Sequence, residues 1–300
     1  YIMSKTKNPF SGLGIALVTP FDAEGNIDYA ALADIVEFQI AGGIDFFCIL
    51  GTTAETPTLT KKERKEVFDF AVKQIAGRVP VLVGLSNNCT AALVEDLKNF
   101  EYQGADAILS AVPFYNKPTQ EGIYQHFKAA AQVSPLPLVL YNVPGRTGRN
   151  LEADTTIRLA NDFDNIIAIK EASGKIDQIR DILKRKPADF AVISGDDSLT
   201  IDIIPDGCVG IISVIGNALP KMYGDLIHYA MKGQMEQAQA IQAKLLKMYD
   251  LMFVEGSPCG VKALMEQMHL LRNTMRLPIV PVTDKTYKEI AVEYKKIMGV

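Results

Sequence analysis

The sequence has few side chains that could bind a metal or form a disulfide bridge. Its 300 residues include four cysteines and three histidines, which are scattered without a Cys-x-x-Cys pair or a metal-ligand spacing. Most of the cysteines lie among apolar neighbours and are expected to be reduced structural thiols. A zinc site is therefore not predicted.

Long apolar runs and extended basic runs are also absent. No stretch approaches the roughly eighteen apolar residues of a membrane-spanning helix, and the segment YIMSKTKNPF has no hydrophobic signal core. The formal net charge is −4 and basic residues form only short clusters, such as the one at 61–65, which argues against a nucleic-acid partner. The protein is expected to be cytoplasmic, to bind neither membranes nor nucleic acids, and to begin naturally at Met3.

Short apolar runs alternate with segments of helical periodicity through the first three quarters of a chain that is 48% hydrophobic and 22% charged. Eight runs are predicted strands, at residues 14–18, 46–50, 81–84, 107–111, 138–141, 166–170, 191–194 and 209–213. Such alternation predicts parallel strands that are joined by right-handed crossovers and covered by helices. It favours an α/β fold of the (β/α)8 TIM barrel type over an open doubly wound sheet, because no Gly-x-Gly-x-x-Gly turn follows the first strand.

The helical segments between the strands are clearest at residues 28–41, 61–76, 91–102, 120–132 and 153–160. After Gly233 the pattern contains only helices, predicted at 235–253, at 261–268 and from about Asp284. The chain is therefore divided into a catalytic (β/α)8 barrel at 1–232 and a C-terminal three-helix region at 233–300. This second region is expected to pack on the barrel.

Polar and unusual residues collect where the predicted strands end, which is where barrels of this kind carry their chemistry. They lie at 51–55, 113–118, 141–148, 170–171, 194–197 and 212–213. Residues from different strand ends are therefore expected to meet at one rim of the barrel.

Lys170 is the unusual residue at the end of the apolar run IIAIK. Because side chains alternate between the two faces of a strand, Lys170 shares a face with Ala168 and Ile166. Ile167 and Ile169 take the other face and are expected to pack beneath the helices. Lys170 then points into the barrel mouth, where partial desolvation should lower its pKa from about 10.4 and make the amine a nucleophile toward carbonyl carbon. The alternative is a lysine that reaches solvent or pairs with the adjacent carboxylate.

A lysine that forms a Schiff base needs a proton carrier beside it. Tyr141 lies one strand away at the same level, and Thr53 and Tyr115 could relay its proton. Taken alone, Tyr115 is more typical of a packing aromatic, and Thr52 and Thr53 are more typical of ordinary loop residues that hydrogen-bond to the backbone. Arg146 follows a proline and a glycine in its loop and offers a bidentate fork for a carboxylate, with a surface salt bridge as the alternative.

Four segments, GTTAETPTL, YNVPGRTG, IIAIKEASG and SGDD, resemble the motifs of the dihydrodipicolinate synthase/N-acetylneuraminate lyase family, in the same order and at the same strand ends. The similarity extends from about Gly12 to the C-terminus and includes FVEGSPCGVK and MRLPIVPVT. It implies a class I aldolase-type barrel with a three-helix C-terminal region and without a metal or organic cofactor.

The resemblance implies that Lys170 forms an imine with pyruvate and that Tyr141 is the central proton donor and acceptor. Thr53 and Tyr115 would complete the proton relay, and Tyr115 would reach the neighbouring subunit's site across a tight dimer. The family also implies a homotetramer, built as a dimer of such dimers.

Substrate-binding roles follow from the same resemblance. Thr52 and Thr53 would hold the pyruvate carboxylate, and Arg146 would bind the carboxylate of L-aspartate 4-semialdehyde. Gly195 and Ile212 would line the site through their backbone groups. The implied reaction condenses pyruvate with the semialdehyde and closes a ring, on the route to diaminopimelate and lysine.

Alternatives within and beyond the family remain open. Neuraminate lyases that resemble this chain carry small or hydroxylic residues in place of Arg146, so the intact Arg-Thr-Gly favours the condensation. The other candidates are a class I pyruvate aldolase for N-acetylneuraminate, 2-keto-3-deoxygluconate or 4-hydroxy-2-oxoglutarate, and a non-catalytic barrel. The retained set of reactive residues argues against the non-catalytic barrel.

The sequence departs from the family pattern in two regions, the turn after the two threonines and the pocket at which lysine inhibits some members. Ala54 replaces the usual glycine after the two threonines, which is tolerated unless the backbone there needs a positive φ. Members inhibited by lysine have a histidine near Lys61, a glutamate near Ala92 and a tyrosine near Phe114. Lys61 and Arg64 would repel the ammonium of lysine, so feedback inhibition is predicted to be weak or absent.

Overall fold

The computed structural model describes residues 8–299 as a closed barrel of eight parallel strands that follow one another in sequence order. The strands are β1 Gly12–Ala16, β2 Phe46–Ile49, β3 Val81–Gly84, β4 Ala107–Ala111, β5 Leu138–Asn142, β6 Ile166–Glu171, β7 Ala191–Ser194 and β8 Gly210–Ser213. Pairing of β1 with both β2 and β8 closes the barrel. The predicted TIM barrel is confirmed, and the expected start at Met3 lies outside the described residues.

Helices connect the strands and cover the barrel. They are α1 Tyr29–Ala41, α2 Lys61–Ile75, α3 Thr90–Lys98, α4 Gln120–Val133, α5 Pro144–Thr147, α6 Ala153–Asp162, α7 Ile176–Arg185, α8 Thr200–Ile203 and α9 Pro220–Met231. Three more follow in the C-terminal region: α10 Met235–Phe253, α11 Cys259–Gln267 and α12 Asp284–Met298. The division of the chain between 232 and 233 falls between α9 and α10 and stays a proposal.

Side-chain caps set the starts of several helices. Asp28 accepts a hydrogen bond from a backbone N–H of the first turn of α1, and Thr119 and Thr283 do the same for α4 and α12. Thr60 and Glu63 form a reciprocal capping box at the start of α2. These bonds satisfy backbone donors that have no partner within the helix.

The barrel interior is filled by strand side chains together with Phe10, which precedes β1, and no helix between residues 8 and 299 contributes buried residues to this cluster. Its members include Ala16, Phe46, Cys48, Leu82, Leu109, Val139, Ala168, Ile193 and Ile212. Gly14 makes room for the largest of them, since a Cβ there would lie 2.2 Å from the Phe46 ring. A second cluster lies between strands and helices and includes side chains of α10, α11 and α12, so the C-terminal region shares a core with the barrel.

The pairing register of β6 against β5 shifts by one residue at Ile167. Ile167 therefore packs in the barrel interior together with Ala168, while Ile166 and Ile169 join the core beneath the helices. The prediction from simple alternation was wrong for Ile166 and Ile167, because a register shift of this kind adds one residue to a strand. Above the shift it was right, since Ala168 faces inward, Ile169 outward and Lys170 inward.

The remaining observations on the fold concern membrane-spanning helices and metal-binding clusters. Between residues 8 and 299, no helix is long and apolar enough to cross a membrane. The same part of the chain has no group of three or more histidine, cysteine, aspartate or glutamate side chains that could hold a metal ion.

Candidate active site

A cavity of about 750 Å³ opens at the C-terminal ends of the strands. Residues that the sequence predicted for the site line its wall: Thr52, Thr53, Tyr141, Arg146, Lys170, Gly195 and Ile212. Of the predicted site residues, Tyr115 alone lies elsewhere in this chain. The fold therefore brings residues from five different strand ends into one space.

Lys170 and Tyr141 form the centre of the cavity. They are direct partners in the register of β5 and β6, and Lys170 Nζ lies 4.3 Å from the centroid of the Tyr141 ring. Lys170 is only 6% exposed, which excludes a side chain that extends into solvent. Within the described part of the chain it has no ion pair, and the adjacent Glu171 instead accepts hydrogen bonds from uncharged groups. The amine is thus free to meet a substrate.

Small residues leave space for the lysine stem. A Cβ on Gly195 would lie 3.0 Å from Lys170 Cε and 2.6 Å from Ala172 Cβ. The sequence interpretation of Gly195 was that its backbone lines the site. The structure adds a steric reason, because any larger residue would displace Lys170 or the strand end beside it.

The segment after β2 places two threonines at the cavity wall. Thr52–Ala54 forms a single 3-10 turn, and its flanking residues Leu50 and Glu55 have φ of 59° and 55° in the left-handed region. The backbone also packs closely here, since a Cβ on Gly84 would lie 2.1 Å from the Leu50 carbonyl oxygen. Left-handed backbone at residues other than glycine is strained, and such strain often accompanies functional segments.

Ala54 fits this turn without strain. Among residues 8–299 the left-handed positions other than glycine do not include Ala54, so the methyl group meets no conformational penalty. The Thr19 hydroxyl donates a hydrogen bond of 2.8 Å to the Ala54 carbonyl oxygen. The departure from the usual glycine therefore leaves the threonines in a well-supported turn.

Arg146 lies in the short helix α5 at the mouth of the cavity and is exposed. The described residues supply no ion-pair partner for its guanidinium, so the surface salt bridge that the sequence left open does not form among them. Gly148, with a φ of 74°, ends this helix and turns the chain back toward the barrel. A free guanidinium at this position can bind an anionic group of a substrate.

Tyr115 projects away from the cavity of its own chain. It is 84% exposed and has a φ of 74°, next to Phe114, which is 40% exposed. Asn88 donates a hydrogen bond to the Phe114 carbonyl oxygen and so ties this loop to the loop after β3. The role of Tyr115 in a proton relay stays a prediction.

Asp197 fixes the side of the cavity formed by β7 and β8. Its carboxylate accepts hydrogen bonds of 2.6 Å from the Ser213 hydroxyl and 2.9 Å from the Ile215 backbone N–H. Burial raises the pKa of Asp197 to about 6, against the opposing effect of these hydrogen bonds. Asp197 therefore holds together the two strand ends that carry Gly195 and Ile212.

The C-terminal region supplies part of the cavity wall that sequence reasoning missed. The residues are Tyr249, Asp250, Phe253, Val254, Gly256 and Ser257. The similarity of FVEGSPCGVK to the family was the available signal, but it carried no prediction of which residues reach the site. Their position at the cavity depends on how α10 packs against the barrel.

The model of the Dihydrodipicolinate synthetase family matches residues 9–297. The chain is 53% identical over 279 residues to a 4-hydroxy-tetrahydrodipicolinate synthase of Phocaeicola vulgatus, with 93% of this chain and 94% of the relative covered. It is 50% identical to the enzyme of that name from Parabacteroides distasonis, with the same coverage. The crystal structure of dihydrodipicolinate synthase from Aquifex aeolicus matches with a TM-score of 0.92 at 39% identity, covering 96% of this chain and 98% of that one.

Proposed function

The chain belongs to the dihydrodipicolinate synthetase family, and we propose that it is a 4-hydroxy-tetrahydrodipicolinate synthase, a lyase that condenses pyruvate with L-aspartate 4-semialdehyde. The observation that carries the proposal is the unpaired, buried Lys170 beside Tyr141, in a cavity whose mouth holds a free Arg146. The product enters the synthesis of diaminopimelate and lysine. A cytoplasmic location belongs to the same proposal.

The first steps join pyruvate to the enzyme. The neutral amine of Lys170 attacks the keto carbon of pyruvate and forms a carbinolamine. The Tyr141 hydroxyl donates a proton to the departing oxygen, so that water leaves and an imine forms. The deprotonated Tyr141 oxygen then accepts a methyl proton from the bound pyruvate, which gives an enamine and restores the Tyr141 hydroxyl. Because the imine itself takes up the electron pair, this chemistry needs no metal or organic cofactor.

The second substrate then adds to the enamine. The enamine carbon attacks the aldehyde carbon of the semialdehyde, and the new alkoxide takes a proton that Tyr141 and Thr53 relay. Thr52 and Thr53 hold the pyruvate carboxylate, while backbone groups of Gly195 and Ile212 line the opposite wall. The amino group of the semialdehyde finally attacks the imine carbon, which closes the ring and releases Lys170.

Replacement of Arg146 by alanine tests the choice of substrate. Each hydrogen bond to a charged group contributes about 1.5–3 kcal/mol, so the loss of a bidentate contact should lower kcat/KM for the semialdehyde by roughly 100-fold or more. Imine formation with pyruvate should change little. A coupled assay with the semialdehyde and borohydride trapping of the pyruvate imine measure the two steps separately.

Arg149→Ala is the matched control for Arg146→Ala, because Arg149 lies in the same segment but outside the cavity wall. We expect it to retain semialdehyde turnover. If Arg146→Ala retained it as well, the assignment of Arg146 would be wrong. Turnover of a sugar aldehyde instead of the semialdehyde by the unaltered enzyme would favour one of the other pyruvate aldolases of the family.

The proposed assembly is a homotetramer made of two tight dimers. The left-handed backbone of Tyr115 and its 84% exposure beside Phe114 support a role across a subunit interface, because a subunit packed there would bury this strained aromatic. A relative described as a monomeric dihydrodipicolinate synthase variant matches with a TM-score of 0.94 at 37% identity, so fold alone does not fix the assembly. Sedimentation velocity tests the proposal, and a purely monomeric, fully active enzyme would contradict it.

Lysine is expected to inhibit weakly or not at all. Ala92 offers no carboxylate to the lysine ammonium, and Lys61 and Arg64 add positive charge to the same part of the surface. Lys61 is partly neutralised by Asp96 at 3.5 Å, but its side chain is 89% exposed, so this pairing is weak. Steady-state assays with added L-lysine check the prediction. An inhibition constant in the low-millimolar range or below would contradict it.

A further inference from the structure

We propose that Glu171 is a positioning residue. From the outer face of β6, it keeps the side chains of Lys170 and Tyr141 in the relative positions that imine formation requires. The inference rests on the proposed function, because it concerns the geometry of imine formation. Glu171 does not line the cavity and touches no substrate.

The pairing of β5 with β6 places two polar residues directly beside the reactive pair. Asn142 is the partner of Glu171, just as Tyr141 is the partner of Lys170 one residue earlier. Since side chains alternate along a strand, Asn142 and Glu171 point outward while Tyr141 and Lys170 point into the barrel. The polar pair therefore lies on the reverse side of the same two strand ends.

Asn142 and Glu171 are joined by hydrogen bonds in the protein interior. Asn142 Nδ2 lies 3.2 Å from Glu171 Oε1 and 3.1 Å from Oε2, and the two residues are 0% and 1% exposed. The Ser173 backbone N–H donates to Oε1 at 2.8 Å, and Gln178 Nε2 donates to Oε2 at 3.2 Å. A buried carboxylate with three N–H donors links β5, β6 and α7.

The two acceptor oxygens of Glu171 make this link specific. Among residues 8–299 no cation pairs with its carboxyl group. Burial raises the pKa of Glu171, whereas the hydrogen bonds from Ser173, Asn142 and Gln178 oppose this shift. All three neighbours donate, so both carboxylate oxygens must accept. A glutamine at this position would have only one acceptor oxygen. Its side-chain N–H groups would then face the N–H group of a neighbour, and neither could accept a hydrogen bond.

The same cluster anchors the loop that carries Arg146. The Leu151 backbone N–H donates to Asn142 Oδ1 at 2.9 Å, and Asn150 Nδ2 donates to Gln178 Oε1 at 2.7 Å. Asn150 and Leu151 are the residues at which the chain returns from this loop to the barrel. One polar network thus lies behind Lys170, Tyr141 and Arg146, and its side chains do not line the cavity.

The variant Glu171→Gln tests the proposal. A displacement of about 1 Å between reacting groups can lower a rate by roughly 100-fold. We expect pyruvate imine formation, measured by timed borohydride trapping, to slow by about 10- to 100-fold. The threonines that hold the pyruvate carboxylate lie on another strand end, so kcat should fall while KM for pyruvate changes little.

Glu293→Gln is the matched control, because it also removes a buried carboxylate, in α12 of the C-terminal region. It should lower the melting temperature without slowing the trapping reaction. If E171Q trapped pyruvate as fast as E293Q, Glu171 would serve stability alone.

A second variant and the unaltered enzyme complete the test. If E171Q does not fold, Gln178→Met removes one donor and should slow trapping by about threefold; an unchanged rate would overturn the proposal. If the unaltered enzyme itself forms no adduct, the proposed function fails rather than the role of Glu171.

Discussion

The Lys170→Met variant is expected to form no adduct with pyruvate and to lose about 10⁴-fold or more of its activity. The cavity wall contains no second lysine among the described residues, so no other amine can form the imine there. Methionine has a similar length and is apolar, and it can occupy the space beside the Tyr141 ring without a buried charge. The variant should therefore fold and still lack the nucleophile.

Borohydride reduction in the presence of pyruvate, followed by intact and peptide mass spectrometry, measures this result directly. In the unaltered enzyme the added mass should map to Lys170. Lys175→Met is the matched control, since Lys175 lies in the same segment but is exposed and outside the cavity wall. An adduct of equal yield on Lys170→Met would show that another lysine is the nucleophile. No adduct on the unaltered enzyme would support a non-catalytic barrel.

The second large effect is expected from Lys262→Met, which breaks a fully buried ion pair. Lys262 in α11 pairs with Glu55, which follows the threonine turn after β2, and both side chains are 0% exposed. Lys262 also donates to the Thr274 carbonyl oxygen, and its Nζ lies 4.4 Å from the Phe21 ring centroid. Burial lowers the pKa of Lys262, whereas the attraction of Glu55 opposes this shift.

Removal of one partner leaves an uncompensated charge in the core, which costs about 3–5 kcal/mol of unfolding free energy. Urea denaturation of Lys262→Met should show this loss. The double variant Glu55→Gln/Lys262→Met removes both charges and should recover most of the stability, because no unpaired charge remains. Equal stability of the single and double variants would contradict the importance of the pairing. Since Glu55 adjoins the Thr52–Ala54 turn, the single variant should also bind pyruvate more weakly.

Local sequence patterns determined the barrel and placed seven of its eight strands to within one residue. The exception is β1, which was predicted at 14–18 and spans Gly12–Ala16. Strand bounds such as 81–84, 107–111 and 191–194 and the helix 235–253 agree with the structure, because apolar runs and helical periodicity are properties of neighbouring residues. The reactive residues were also visible, since Lys170 and Tyr141 interrupt otherwise apolar strand ends. Residue type and position along a strand are enough to suggest that chemistry.

Tertiary structure decided the features that depend on contacts between distant segments. The register shift at Ile167 arises from the pairing of β6 with β5, so alternation within one strand could not reveal it. The pairing of Glu55 with Lys262 joins residues 207 positions apart, and Asn142 meets Glu171 across two strands. The arrival of Asp250 and Phe253 at the cavity likewise depends on the packing of α10.

The sequence by itself therefore determined the fold class, the order of the elements and the candidate residues for the chemistry. The tertiary structure decided which of those residues meet, what supports them from behind, and that Tyr115 points away from the cavity of its own chain. The physical reason is that periodicity and residue type act over a few neighbouring positions. Register, burial and ion pairing are set only when separate parts of the chain exclude water from a shared core.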